Sequence, residues 1–495
     1  MNQANAQSTL TPSSATRSSL PNLGDGSNLT PSAERQLGDR IARQLYRDTD
    51  YIDDPVIMDY VEGIWLHLLA AARVRGELPA DMDAAYAWEI LLSKDRSVNA
   101  FALPGAYFGL HLGLVGTVTT RAELASVMAH ELSHVTQRHI SRMMDRQSAQ
   151  TPLMIAAMLL GVLAASKSVD GANAVIMGGQ AVAMQSQLNF TRDMEREADR
   201  VGFGVATQAG YAPQGFVAMF EKLQQASKLT DNGSFPYLRS HPLTTERMAD
   251  MQTRIAQGIG APPQPIPLEM DQALVAARAR VLSNGAVDAL RTWSVQVQPD
   301  ALARLPVSQQ AGVLYGAALA AAKLRDGPQA QALLLRLNVA VQNDPPARQL
   351  ATLLAAEIAL MDGRAALAAE VLKALPAGSA QNRATLFLQA QAATQSGAPV
   401  TQGLQDWVAN HPKDAQAWQL LANAYIAQGR TISGIRAEAE ASVAQLDYPA
   451  ALARLRSAQD QIRASTGRVD HIEASIVDTR ARQIDALARE QALER

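Results

Sequence analysis

His130-Glu131-Leu132-Ser133-His134 is the stretch on which the reading of this chain turns. It sets two imidazoles four residues apart with a carboxylate between them. On an α-helix, positions i and i+4 share a face, so both rings can reach one ion. Glu131 can then sit beside a water bound to that ion. Only eight histidines occur in 495 residues, so a chance match is rare. The surroundings predict a helix. Thr120 and Glu123 form a T-x-x-E capping box, and Leu124, Val127, Met128, Leu132 and Val135 recur as an apolar stripe. At about 100° per residue, Glu131 falls within the stripe, His134 on its flank and His130 further round. A carboxylate on an apolar stripe needs a reason, which a metal-bound water would supply. The pattern predicts histidines at the rim of a core; the competing reading is a solvated helix face.

Two histidines do not complete a catalytic zinc site, which uses three protein ligands and an open position. The best source of a third is Thr191 to Asp199, also a predicted helix. Glu195 and Asp199 are four apart and share a face, whereas Glu197 points away. Glu195 is the candidate third ligand. Asp199 is placed to accept the second N–H of a zinc histidine and fix its tautomer. Taken alone, the stretch also reads as an ordinary charged helix. Ser240-His241-Pro242, with Thr244, Glu246 and Arg247 behind it, is a third element. His241 is either a loop histidine or a residue at the metal that contacts substrate or fills the open position.

Around these motifs the chain divides by composition. Residues 1–30 are rich in Ser, Thr, Asn and Pro and read as a flexible tail. Pro31 to Arg73 predicts two helices with a break near Asp53-Asp54-Pro55. Trp88 to Val98 reads as a strand, and Asn99 to Gly116, with four glycines, as strands and turns. Phe101 to Tyr107 is either a substrate-pairing edge strand or a plain core hairpin. Residues 150–190 read as an apolar helical hairpin whose methionines, Met154, Met158, Met177 and Met184, are core or an adaptable surface; its position between the motifs suits a lid. Residues 262–267 are a Pro-rich linker, separating a domain over 31–261 from a helical domain over 268–495. In the latter, Trp418, Leu421, Ala422, Tyr425 and Gly429 fit the tetratricopeptide pattern, Leu446-Asp-Tyr448-Pro starts another unit, and Gly312–Leu337 and Ala347–Leu375 are looser units.

A net charge of −3 gives no broad basic surface, so nucleic acid is not an expected partner. With no cysteine, disulfides and zinc–thiolate sites are excluded. No run of about 18 apolar residues predicts a transmembrane segment; Leu153 to Ala165 is the longest candidate and too short. Among the other histidines, His67 is expected in a core and His139 rotated off the metal face. His111, His411 and His471 lack a partner pattern.

Asn99-Ala-Phe-Ala-Leu-Pro-Gly105, HExxH, Glu195-x-x-Ala198-Asp199 and Ser-His241-Pro with Arg247 occur in that order. In this the chain resembles the HtpX/CAAX-prenyl-protease superfamily of zinc metallopeptidases. Within it, the resemblance is to periplasmic members with a tetratricopeptide tail that act in outer-membrane β-barrel assembly. Ser133 departs from the family, which often has Gly there. The resemblance implies an α+β zincin-like domain, mostly helical with a small sheet, followed by an all-α repeat solenoid. It implies one Zn2+ per chain, with His130, His134 and Glu195 as ligands. Glu131 would be the catalytic base, and His241 a catalytic, regulatory or fourth zinc contact. It further implies a periplasmic endopeptidase whose signal peptide has been removed, since the first residues lack an apolar leader core. Its substrates would be unfolded or misassembled outer-membrane proteins, and its partner the barrel-assembly machinery, bound through the repeats. The competing reading is a non-proteolytic chaperone or scaffold.

Overall fold

The computed structural model describes residues 29–146, 191–229, 235–257, 269–376, 378, 382–398, 401–465 and 470–493. The expected 150–190 hairpin, the 262–267 linker and all but the last two residues of the 1–30 tail lie outside them. Helix α1 (Pro31–Leu45) starts where Thr30 accepts from the Ala33 N–H, with Pro31 at its first position. After β1 (Tyr51–Ile52), Asp54 caps α2 (Pro55–Arg75) in the same way, and Gly76 ends it in the left-handed region at φ 74°. The short helix α3 (Ala80–Ala85) leads into β2 (Glu89–Ser93), β3 (Ala100–Leu103) and β4 (Tyr107–His111). The sheet order is β1-β2-β4-β3, with β2 parallel to β4 and the other two pairs antiparallel, so β3 is an edge.

Four expectations need correction. Residues Leu112–Thr117 form helix α4, not strand or turn. Its glycines serve close packing: a Cβ on Gly113 would lie 2.1 Å from the Arg96 carbonyl oxygen. His67 is exposed, with Nδ1 3.4 Å from the Tyr211 hydroxyl, because it falls on the outer face of α2. His111 is buried and does have partners, with Nδ1 3.0 Å from Ser97 Oγ. Finally, α2 is long and apolar enough to cross a membrane, although its apolar residues are interrupted by polar ones. Ile57, Val61, Ile64, Leu68 and Ala72 are buried at helical spacing, so α2 is a core helix here.

Helix α5 (Arg121–Thr136) carries the HExxH stretch through the centre of this core, followed by α6 (His139–Arg146). Past the first gap come α7 (Arg192–Gln208), α8 (Gln214–Leu229), α9 (Tyr237–Ser240) and α10 (Thr245–Ala256). The remainder is helix-rich, and from Val307–Lys323 onward each helix packs on the next in sequence. Asp326, Asp344, Asp414 and Asp447 each cap a helix start by accepting from the N–H three residues on. Helix α11 (Met270–Ser283) joins the two parts: Val275 and Ala279 enter the core around α5, while Leu274, Ala277 and Val281 enter the next.

Buried ion pairs add to this joint. Arg278 binds Asp54 at 2.7 and 2.8 Å and Glu357 at 2.7 Å. Arg383 binds Asp53 and Asp414, and Asp59 accepts from the Ala384 N–H at 2.9 Å. Removing Arg278 would strand Asp54 in the interior, a loss of about 3–5 kcal/mol.

Glu62 lies one turn past Asp59 on α2, facing Arg383, Asp59, Asp414 and Asp53. Burial pushes its carboxyl up to about 7, and that of Asp59 to about 6. Its folded-state value exceeds the unfolded one, so its contribution to stability is complete below its ordinary 4.5 and lost as pH rises through about 7. Glu62→Gln should therefore melt above wild type at pH 8, with the gap closing towards pH 4.5. A gap independent of pH in thermal melts would contradict this placement.

Candidate metal centre

Thr120 caps α5 by accepting from the Glu123 N–H at 3.2 Å. The return half of the expected box is displaced by one residue, since the Glu123 carboxylate accepts from Thr119 N–H at 2.7 Å. The expected rim position is also corrected: every residue from Ala122 to Thr136 is buried. Helices α2, α7 and α8 and strand β3 enclose α5, leaving no solvated face. Ser133 is accommodated by donating to the Ala129 carbonyl at 2.7 Å.

Across from α5 runs α7, begun by Thr191 accepting from the Met194 N–H. The two helices approach closely at Gly202. A Cβ there would sit 3.0 Å from the Ala129 oxygen and 3.1 Å from the His130 nitrogen. With the helices this near, Glu195 and Asp199 face the two histidines. From the other side, His241 ends α9, and its ring stacks on Tyr237 at 4.7 Å between centroids.

The groups expected at the site converge. His134 Nε2 is 3.0 Å from His130 Nε2, which is 3.4 Å from His241 Nδ1. Glu195 Oε1 lies 3.0 Å from His241 Nδ1 and 3.4 Å from His134 Nε2. One ligand atom from each of these four residues falls within 4.8 Å of the others. Glu131 stands next to them, with Oε1 3.3 Å from His241 Nε2. Asp199 Oδ1 is 2.9 Å from His130 Nδ1. Glu197 faces away, as expected, towards His139 and Arg142.

Does this set suit a metal? Both Glu131 oxygens and Glu195 Oε2 are buried and accept no hydrogen bond among the described residues. Glu195 Oε2 is 2.7 Å from Arg247 Nη1, without hydrogen-bond geometry. Buried carboxylate oxygens without donors are costly, and a cation among them removes the cost. Three imidazoles and a carboxylate are borderline-soft N/O donors suited to zinc.

The electrostatics agree. Burial disfavours a charged His130, but hydrogen bonds to Asp199 and Glu195 outweigh it and push the ring up to about 9. Burial holds His134 well below the ordinary histidine value. Burial raises Glu131. Burial also opposes charge on Glu195, yet His241, His130 and His134 together hold it well below the carboxylate range. Asp199 is likewise lowered against burial, chiefly by Arg247, which binds it at 2.6 and 2.8 Å. A zinc ion must displace the His130 proton, so binding releases protons.

Residues 67–255 match the profile of Peptidase family M48. The Beta-barrel assembly-enhancing protease of Escherichia coli K12 is 30% identical over 471 residues, 94% of this chain and 92% of that protein. The chain belongs to peptidase family M48. A relative from Vibrio cholerae is 34% identical over 327 residues, 64% of this chain and 63% of its own length. The Mitochondrial metalloendopeptidase OMA1 of Arabidopsis thaliana is 31% identical over 160 residues, 32% of this chain and 30% of that protein. This M48 chain thus carries a zinc site, the one such cluster among the described residues, and the active-site arrangement of a metalloendopeptidase.

Several neighbours of the site escaped the sequence reading. Tyr237 carries no motif that marks it. Arg247 was visible only as part of a pattern, and its contact with Asp199 was not. His139, expected off the metal face, has its Nδ1 2.9 Å from His134 Nδ1. If the Gly202 contact sets the site, Gly202→Val should push α7 from α5. The expected result is a loss of about 1–3 kcal/mol in chemical denaturation of the apoprotein and weaker zinc binding by chelator competition. Wild-type zinc affinity in the folded variant would contradict it.

Proposed function

We propose that this chain is a zinc-dependent endopeptidase of the periplasm that degrades misassembled outer-membrane β-barrel proteins. Its C-terminal helices, read as tetratricopeptide repeats over 268–495, would hold clients or the barrel-assembly machinery. The observation that carries the chemistry is the convergence of His130, His134, Glu195 and His241 around one point, with the buried Glu131 carboxylate beside it. The near full-length alignment with the E. coli β-barrel assembly-enhancing protease supports the client class. Support for the repeats comes from paired helices such as Ala415–Ala427 and Thr431–Ala444, where Leu421, Ala422 and Tyr425 are buried.

On this reading His130, His134 and Glu195 are the working ligands, and Asp199 orients His130 through Nδ1. Zinc, when bound, polarises a carbonyl and lowers the pKa of a water to about 7. Glu131, its proton affinity raised by burial, takes the proton of the attacking water and returns it to the leaving amine. His241 is the fourth contact of the resting site through Nδ1. Its Nε2 lies beside Glu131, so it must swing aside before a substrate carbonyl can enter. It then becomes a donor for the developing oxyanion.

Strand β3 is the proposed substrate edge. His111 N–H donates to the Asn99 carbonyl, so alternation along the pair turns Phe101 and Leu103 towards β4. The backbone groups of Ala100 and Ala102 then face the open edge, on the strand that packs against α5. An extended peptide would pair there as an added strand.

Glu131→Gln should keep stoichiometric zinc by metal analysis while cleavage of unfolded casein vanishes; turnover at the wild-type rate would refute the base assignment. Ala102→Pro removes an outward N–H that β4 does not use. It should retain zinc and lower casein cleavage about threefold to tenfold, the worth of one hydrogen bond. Undiminished cleavage would exclude β3 as the pairing edge. A purely chaperone role is the second reading, favoured by the extent of the helical region. On that reading Glu131→Gln would leave in-cell clearance of misassembled β-barrel proteins intact.

A further inference from the structure

We infer that His139 and Glu197 are positioning residues that hold the His134 imidazole in the tautomer able to bind metal. The inference rests on the zinc reading above. His134 turns Nε2 to the ligand cluster, 3.0 Å from His130 Nε2. Its other nitrogen, Nδ1, is 2.9 Å from His139 Nδ1. Two ring nitrogens at that distance share one hydrogen, so one donates and the other accepts. A lone pair on His134 Nε2 requires the hydrogen on its Nδ1. His139 Nδ1 is then the acceptor, and the His139 hydrogen sits on Nε2. That nitrogen is 3.1 Å from Glu197 Oε2, an acceptor held in turn by Arg142 Nη1 at 2.9 Å. The chain of bonds leaves one hydrogen assignment compatible with metal binding.

The backbone is bent to make this contact. A continuing helix would carry a residue five positions on about 140° away from His134. Instead α5 ends at Thr136, and Arg138 takes φ 52°, in the left-handed region that non-glycine residues rarely enter. The chain turns back and delivers a fully buried His139 against His134. The arrangement repeats on the second ligand what Asp199 does for His130: an acceptor behind each zinc histidine, both carboxylates drawn from α7.

Three variants of the full chain test it: His139→Gln, His139→Asn and Glu197→Ala. Asn places an oxygen where Nδ1 was and keeps the acceptor, whereas Gln places its polar end near Nε2 and loses it. Zinc affinity is read by competition with a chromophoric chelator, and the Co2+-substituted protein by its visible absorption. His139→Gln should weaken zinc about 10- to 100-fold and shift the Co2+ bands. His139→Asn should recover most of that loss, with both apoproteins melting together. Glu197→Ala, changed at a half-buried position, should weaken zinc by a smaller factor. Wild-type affinity in His139→Gln, or equal loss in Gln and Asn, overturns the inference. Should His139→Gln not fold, unchanged affinity in Glu197→Ala overturns it. A wild-type protein that binds no zinc would instead overturn the metal reading beneath it.

Discussion

The absence of a side chain at Gly202 lets α7 lie against the backbone of α5 at Ala129 and His130. The rest of the site depends on that approach. Glu195 and Asp199 sit on the turns of α7 preceding Gly202, so their reach to the histidines is set by the spacing of the helix axes. Any residue with a branched side chain at 202 would widen that spacing. A widening of one ångström is enough to take a carboxylate oxygen out of coordination range, because metal–ligand distances tolerate only about 0.2 Å.

Close approach also concentrates charge in the protein interior. Glu131, Glu195 and Asp199 are all buried, with Arg247 as the cation that reaches two of them. Isolated buried carboxylates would be prohibitive. Here they are offset by a guanidinium from α10, by imidazoles, and, in the working protein, by a divalent ion. The same burial raises the proton affinity of Glu131. His241, stacked on Tyr237, bridges the two carboxylates, with Nε2 3.3 Å from Glu131 Oε1 and Nδ1 3.0 Å from Glu195 Oε1.

How much of this was legible in the residues? The helices carrying His130, His134, Glu195 and Asp199 were, because i, i+4 spacing and the Thr120 cap are local signals. The convergence of those helices was not, since nothing local to Gly202 says what backbone it meets. The apolar stripe on α5 misled for a related reason: a helix enclosed on every side has no polar face for periodicity to reveal. His139 was discarded by a spacing rule that holds only while the helix continues, and the chain breaks it at Arg138. The helix Leu112–Thr117 was obscured because its glycines, needed for close packing, mimic turn residues. Local caps and periods therefore survive as readable features, whereas tertiary contacts that depend on small residues do not.

The helix-rich part is joined to the zinc-bearing part through α11, which contributes to both cores, and through Arg278 and Arg383. The joint is thus a packed and charged one. All of it serves the single point where four side chains meet, and the zinc K-edge absorption spectrum of the purified, zinc-loaded protein tests that point most directly. The expected spectrum shows one zinc per chain with nitrogen and oxygen donors at about 2.0–2.1 Å and the outer-shell scattering of at least two imidazoles. A spectrum of loosely held zinc in an all-oxygen shell, without imidazole scattering, would contradict the site.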